Sequence, residues 1–161
     1  MSVTIRTATS DDAVAIAALW NEAIDTTSIT FTTERKTLEG LRKDIAQRGP
    51  LFLVADLDGQ FGGFATAFAF RGGPGYRFTF EHSVQLVPQA RGHGVGRALM
   101  AALEANLRQQ GAHSLFAGVS GENPDGVAFH AAIGFREVAR LPEVGHKFGR
   151  WMDLVLMQKI L

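Results

Sequence analysis

The sequence predicts an α+β fold, a mixed β-sheet with helices on both faces, and three observations carry that expectation. Segments with the period of two that suits strands alternate with segments of helical 3.6 period. The early strands are joined by short polar connections, which pair them antiparallel, whereas the later ones are separated by helices, which brings in crossovers. Of the 161 residues, 46% are hydrophobic and 20% charged, enough apolar surface to fill a core. The order reads β-α-α-β-β-β-α-β-α-β-β, about six to seven strands and about four helices. The length suits one domain over 1–161.

Val3, Ile5 and Thr7 alternate with Thr4 and Arg6 as a short first strand. Thr9 and Ser10 then offer caps for a helix carrying Ala13, Ile16, Ala17, Trp20 and Ile24 on one stripe. Residues 25–36 form a polar loop. Thr37 caps a second helix with Leu38, Leu41 and Ile45, stopped by Gly49-Pro50. Strands at 51–57 and 60–70 are joined by Asp58-Gly59, which suits a tight hairpin turn. After a Gly-rich loop at 71–75, Phe78, Phe80, Val84 and Leu86 alternate with Thr79, Glu81, Ser83 and Gln85 in a long strand with one oily and one polar face. By that alternation His82 lies on the oily face as a core histidine. Val95, Leu99, Leu103 and Leu107 mark the next helix, closed by Gly111. A buried strand follows at 113–120, and Asn123-Pro124-Asp125 opens a short helix ending at Gly134. A strand at 135–139, a loop rich in Gly, His and Lys, and a last strand at 151–159 complete the chain.

Composition narrows the function. Lys plus Arg and Asp plus Glu are 16 each, so no long-range field gathers nucleic acid or anionic lipid. There is no Cys, which removes disulfides, thiolate metal sites and a cysteine nucleophile. The five histidines show no spacing that gathers three metal ligands, so no metal is expected. The start lacks a signal-peptide layout and no run approaches the ~18 apolar residues of a membrane helix, so the expected location is cytoplasmic.

The sharpest motif is Arg91-Gly92-His93-Gly94-Val95-Gly96, followed by Arg97, between a strand and an amphipathic helix. Backbone N–H groups at a helix start, glycines without Cβ and two arginines together favour a bound phosphate. A dinucleotide fingerprint wants a third glycine where Arg97 stands, and a P-loop wants Gly-Lys-Ser/Thr. The run resembles the Arg/Gln-x-x-Gly-x-Gly/Ala element by which GCN5-related N-acetyltransferases grip the pyrophosphate of CoA. That resemblance extends over the chain: Leu19-Trp20-Asn21, the meander, Asn123 before its helix, and Gly134-Phe135 opening the following strand. Tyr76-Arg77 with Phe80-Glu81-His82-Ser83-Val84, and Val144 to Trp151 with Asp153, are similar to the phosphinothricin and methionine sulfone/sulfoximine acetyltransferases.

The resemblance implies acetyl-CoA as co-substrate and a small-molecule amine as acceptor, with direct transfer. It assigns the pyrophosphate to residues 91–97, further CoA contacts to Val84, Leu86, Val87 and Asn123, and an oxyanion-binding backbone N–H to the stretch 84–86, where a bulge exposes it. An alkyl ammonium must lose a proton before it attacks. Glu81 stands where the subgroup has an acidic residue acting as base, and His130 where family members carry the acid that meets the departing thiolate, an imidazole able to serve as acid or second base. Arg71 and Arg77 stand where the subgroup has arginines near the acceptor carboxylate. Phe31 and Ile29 form an apolar side of the acceptor pocket. Lys147 reaches a neighbouring active site across a homodimer interface, as in similar proteins.

Two departures from the subgroup stand out, the first bearing on the acceptor and the second on a hydroxyl contact to CoA. The methionine-derivative enzymes have tryptophans where this chain has Thr30-Phe31 and Phe70, and the subgroup has serine where this chain has Gly126. Other acceptors (a protein N-terminus, a lysine, an aminoglycoside, a polyamine) and a non-catalytic acetyl-CoA-binding module remain alternatives at this stage.

Overall fold

In the computed structural model, which describes residues 1–161, strand β1 (Val3–Thr7) leads through a single turn of 3-10 helix into α1 (Ala13–Thr26) and α2 (Leu38–Arg48). The meander β2 (Phe52–Leu57), β3 (Gln60–Ala69) and β4 (Thr79–Leu86) follows. Then come α3 (Val95–Gln109), β5 (Ser114–Ser120), α4 (Pro124–Ala132), β6 (Arg136–Lys147) and β7 (Arg150–Ile160). The seven strands form one sheet in the order β1-β2-β3-β4-β5-β7-β6. Neighbours are antiparallel except β4 and β5, which run parallel because α3 intervenes as a crossover.

Local chemistry explains the boundaries. Thr9 N–H donates to Asp12 Oδ2 at 2.7 Å, closing the start of the first helical segment. Thr37 Oγ1 accepts from Gly40 N–H at 3.0 Å and caps α2. Asp58 and Gly59 both adopt left-handed φ, 52° and 80°, the pair of values a tight hairpin turn between right-twisted strands requires.

Alternation along the meander feeds two cores. Leu53, Ala55, Ala65 and Ala67 join Val95, Leu99, Met100, Leu103 and Leu107 of α3 on one face. Phe52, Val54 and Phe64 join Ile16, Trp20 and Ile24 of α1 and Leu41 and Ile45 of α2 on the other. Trp20 and Phe64 meet at 4.8 Å between ring centroids.

Two expectations are corrected. The strand expected to stop at Ala139 continues to Lys147, and the loop expected before the last strand is half of a long hairpin with β7. Pro142 and Gly145 suggest a loop in sequence. β6 is an edge strand, however, which tolerates proline, and its register slips between Leu141 and Gly145, where Glu143 takes a φ of 54°. The second correction concerns β4. No bulge interrupts residues 84–86, since the β3–β4 register runs unbroken from Gly63↔Leu86 to Ala69↔Phe80. The edge is freed differently: pairing of β4 with β5 starts at Thr79↔Ser114 and ends at His82↔Ala117. Beyond that point the two strands part, and the backbone groups of β4 that would face β5 have no strand partner.

Candidate active site

The wedge between β4 and β5 is the centre of a cleft of about 960 Å³ lined by α1, the loop after it, the end of α2, β3, β4, β5 and α4. Its walls are set by strand alternation. Glu81, Ser83 and Gln85 pair with Phe68, Thr66 and Phe64, on the side of α1 and α2. Phe80, Val84 and Leu86 pack on the side of α3, and His82 lies with them.

At one end stands the glycine-rich turn. Gly92 and Gly94 take left-handed φ of 78° and 76°, and a Cβ on either would touch nothing within 4 Å, so the surface before α3 is open to a ligand. Gly94 offers no side-chain cap, which leaves the N–H groups of Val95, Gly96 and Arg97 without partners inside the helix. The Val95 side chain is wholly buried, so only its backbone is available. Gly96 is needed for packing, because a Cβ there would lie 3.1 Å from the Phe129 ring. Arg91, His93 and Arg97 are exposed around the turn, and Arg91 also lines the cleft. These groups fit the pyrophosphate of acetyl-CoA: unspent amides, open glycines and two guanidinium groups.

The other residues expected to meet the cofactor differ in what they have left to offer. Val84 and Leu86 line the cleft along the free edge of β4. The Val87 N–H is already committed to the Gly62 carbonyl at 3.0 Å. Asn123 lines the cleft and caps α4, its Oδ1 accepting from Gly126 N–H at 3.0 Å. A Cβ on Gly126 would lie 2.5 Å from Asn123 Nδ2 and 3.0 Å from Val119 Cγ1, so glycine at 126 and this position of the asparagine go together.

Glu81 sits where the strands part, half-buried in the cleft wall. Burial raises its carboxyl above the ordinary carboxylate range, and no cation or hydrogen bond counters the shift. Gly118 of β5 keeps space for it, since a Cβ there would stand 3.3 Å from Glu81 Oε2.

His82 and His130 form a buried pair on the opposite face of β4, Nε2 to Nε2 at 2.9 Å. His130 Nδ1 lies 2.8 Å from the Gly126 carbonyl, which can only accept, so Nδ1 carries the proton of neutral His130. Its Nε2 is then an acceptor, and His82 Nε2–H donates to it. His82 Nδ1 is buried with no well-formed hydrogen bond, although the backbone of Phe116 lies close enough to oppose in part the lowering of its pKa. Burial pushes the His82 pKa down to about 3, with His130 acting in the same direction, and burial lowers that of His130 as well. The two rings are neutral and hold each other in one tautomeric arrangement. Sequence alternation places His82 in the core; the pairing with His130 is a tertiary contact between β4 and α4 that neither segment announces.

The loop after α1, expected to face the acceptor, forms another part of the lining through Ile29 and Phe31. A Cβ on Gly145 would fall 2.5 Å from the Phe31 ring, so β6 passes directly beneath that loop. Lys147 is buried there, its Nζ donating to the carbonyls of Thr27 at 2.6 Å and Thr30 at 2.9 Å within its own chain. It holds the backbone of that loop and does not line the cleft. Arg71 and Arg77 are exposed on the segment before β4, each beside its neighbouring aromatic ring, 5.8 Å from Phe70 and 4.5 Å from Phe78, and neither lines the cleft. Besides Arg91, the cations that line the cleft are Lys36, 4.3 Å over the Trp20 ring, and Arg48. Neither follows from a local sequence signal.

Known proteins are similar to this chain along nearly its whole length. The acetyltransferase (GNAT) domain family matches residues 5–156. A phosphinothricin N-acetyltransferase of Alcaligenes faecalis is 38% identical over 98% of this chain and 82% of its own length. An L-methionine sulfoximine/L-methionine sulfone acetyltransferase of Salmonella typhimurium is 34% identical over 97% of this chain and 93% of its own. Among solved structures, a GNAT superfamily phosphinothricin acetyltransferase from Sinorhizobium meliloti in complex with acetyl-CoA superposes with a TM-score of 0.91 at 30% identity, covering 100% of this chain and 89% of that one. With a seven-stranded sheet split between β4 and β5, an open glycine turn before α3 and this similarity along nearly its whole length, the chain belongs to the GNAT family of acetyltransferases.

Proposed function

We propose that the protein acetylates the α-amine of a small amino-acid-like acceptor of the phosphinothricin, methionine sulfone or methionine sulfoximine type, and that Glu81 accepts the proton the amine must lose. The observation that carries this reading is Glu81 itself, half-buried at the split of β4 and β5 with its carboxyl pushed toward neutral pH by burial alone. A base poised nearer the working pH accepts a proton better than an ordinary surface glutamate. Acetyl-CoA supplies the activated acyl group. The α3 amides, Arg91 and Arg97 would hold its pyrophosphate, and the free edge of β4 would supply backbone contacts.

His130 keeps its place in the cleft wall but not as the base. In the tautomer set by Gly126, its Nε2 lone pair is occupied by His82. Its contribution is to shape the wall beside Glu81's strand as a neutral ring. Arg71 and Arg77 lie outside the cleft wall of this protomer, and Lys147 acts through the loop it pins.

We further infer a cytoplasmic homodimer. No helix is long and apolar enough to cross a membrane. The β6–β7 hairpin exposes Val144, Phe148 and Trp151, at 55%, 53% and 64%, an apolar grouping that a second copy would cover.

The test is release of free thiol from acetyl-CoA with phosphinothricin, methionine sulfone, methionine sulfoximine, other amino acids, polyamines and a lysine peptide. Turnover of amino-acid acceptors is expected. Turnover of the peptide or polyamines alone would overturn the acceptor assignment, and tight acetyl-CoA binding without any turnover would overturn the transfer reading.

A further inference from the structure

Two cations of the cleft wall, Lys36 and Arg48, have no role in the reaction as described, and Arg48 is the one with donors to give. Arg48 closes the last turn of α2, with its side chain 24% exposed. Its Nη1 donates to the buried Thr66 Oγ1 at 3.0 Å, its Nη2 stands 3.7 Å from Asp44 Oδ2, and its Cζ lies 5.2 Å from the Phe68 ring and 5.9 Å from that of Phe52. A guanidinium carries five N–H donors. Only the bond to Thr66 spends one, since the Asp44 contact lies beyond hydrogen-bond range. Burial lowers the pKa of this group and Asp44 offsets only part of the effect. The fork is fixed by Thr66 and by two aromatic rings, lines the cleft, and has donors to give.

Register sets the residues it rests on opposite Glu81 and Ser83. Phe68 pairs with Glu81 and Thr66 with Ser83, on the same face of the sheet. Directly opposed residues have Cβ atoms about 4.5–5.5 Å apart. Arg48, resting on Phe68 and Thr66, therefore lies on the same face of the sheet as Glu81, against the residue that pairs with it, and not in an ion pair with it. In an α-amino acid the amine and the carboxylate share one carbon, so an acceptor whose amine meets Glu81 carries its carboxylate toward Arg48. Lys36 is a weaker candidate, because its charge already lies over the face of Trp20. Arg71 and Arg77 lie outside the cleft wall.

We propose that Arg48 receives the α-carboxylate of the acceptor inside the cleft and makes the site select amino acids over plain amines. This rests on the acceptor reading above, and the experiment separates the two. The kcat/KM of the protein is measured for methionine sulfone, whose only anionic group is the α-carboxylate, and for the amine that remains when that carboxylate is removed. The wild-type protein prefers the acid, and the ratio of the two values is the readout. A charge-assisted contact of this kind corresponds to about 10- to 100-fold in that ratio. Arg48→Gln collapses the preference by that factor, whereas Arg48→Lys, which keeps the charge and loses the fork, retains part of it. A general loss of folding lowers both values together and leaves the ratio standing, so the ratio isolates recognition. An unchanged ratio in Arg48→Gln, particularly with a collapse in Arg71→Gln or Arg77→Gln, would overturn this assignment and leave the acceptor class intact. A wild-type protein that acetylates no amino acid would instead overturn the acceptor reading itself.

Discussion

Glu81 and His82 are consecutive residues of one strand, and the two sides of β4 treat them in opposite ways. Glu81 faces α1 and α2 across an open cleft, where it is partly solvated, without an ion pair, and pushed up by burial. His82 faces α4 and Phe135, is buried, and is held neutral against His130. A titratable group with solvent access and no compensating partner remains able to exchange a proton at working pH, whereas one buried away from water and held neutral becomes structure. On the reading proposed above, the difference between base and scaffold lies in the face of the sheet, one residue apart.

The strongest way to break this comparison is on the open side. Glu81→Gln is expected to lower kcat by about 10²- to 10⁴-fold while acetyl-CoA affinity stays within about twofold. Steady-state kinetics and calorimetric titration of the cofactor measure the two. The same change has a signed effect on stability. Glu81 has a raised folded-state pKa, so its ionisation destabilises the fold as pH rises through that value. Glu81→Gln should therefore melt higher than wild type at neutral pH and converge with it in acid, and a lower neutral Tm would argue against an uncompensated carboxylate.

On the closed side, the expected effects are structural. His82→Ala leaves His130 Nε2 without its donor and opens a void beside Phe135, a cost of roughly 1–3 kcal/mol in denaturant unfolding. Because the folded-state pKa values of both histidines are depressed, their contribution to stability is present above pH ~6.5 and is lost as pH falls below it toward about 3 for His82. The stability of wild type should thus decline between those limits, and His82→Phe should flatten part of that decline.

Two smaller effects sharpen the account of the proposed acceptor pocket and of the α4 cap. Lys147→Met frees the carbonyls of Thr27 and Thr30 and should raise the acceptor KM severalfold more than the acetyl-CoA KM, with about 1–2 kcal/mol of stability lost. Gly126→Ala pushes against Asn123 and Val119, and the disturbed cap should cost about 0.5–2 kcal/mol.

What could be read from the sequence follows the same division between local and distant causes. The caps Thr9 and Thr37, the turn at Asp58-Gly59, the stripes of α1 and α3 and the opposed faces of β4 are set by residues near in sequence, and periodicity finds them. The glycine turn before α3 is equally local. The β6–β7 hairpin was hidden because Pro142 and Gly145 signal a loop unless one knows that β6 lies at a sheet edge, a tertiary fact. The proposed acceptor pocket is hardest to read. Arg48 enters it only because the last turn of α2 packs across Thr66 and Phe68 of β3, and Lys147 is taken up beneath a loop more than a hundred residues earlier. The expected bulge in β4 failed for a related reason: the free edge comes from the parting of two strands, which needs both to be placed.

The measurement that tests the central claim most directly is the pH dependence of kcat/KM for an amino-acid acceptor in wild type, Glu81→Gln and His130→Gln. If Glu81 takes the proton, activity in wild type rises with pH through the raised pKa of that carboxyl, the same limb persists in His130→Gln at whatever absolute rate that variant retains, and it vanishes in Glu81→Gln. A limb that disappears in His130→Gln and survives in Glu81→Gln would move the proton to the histidine pair and contradict the assignment.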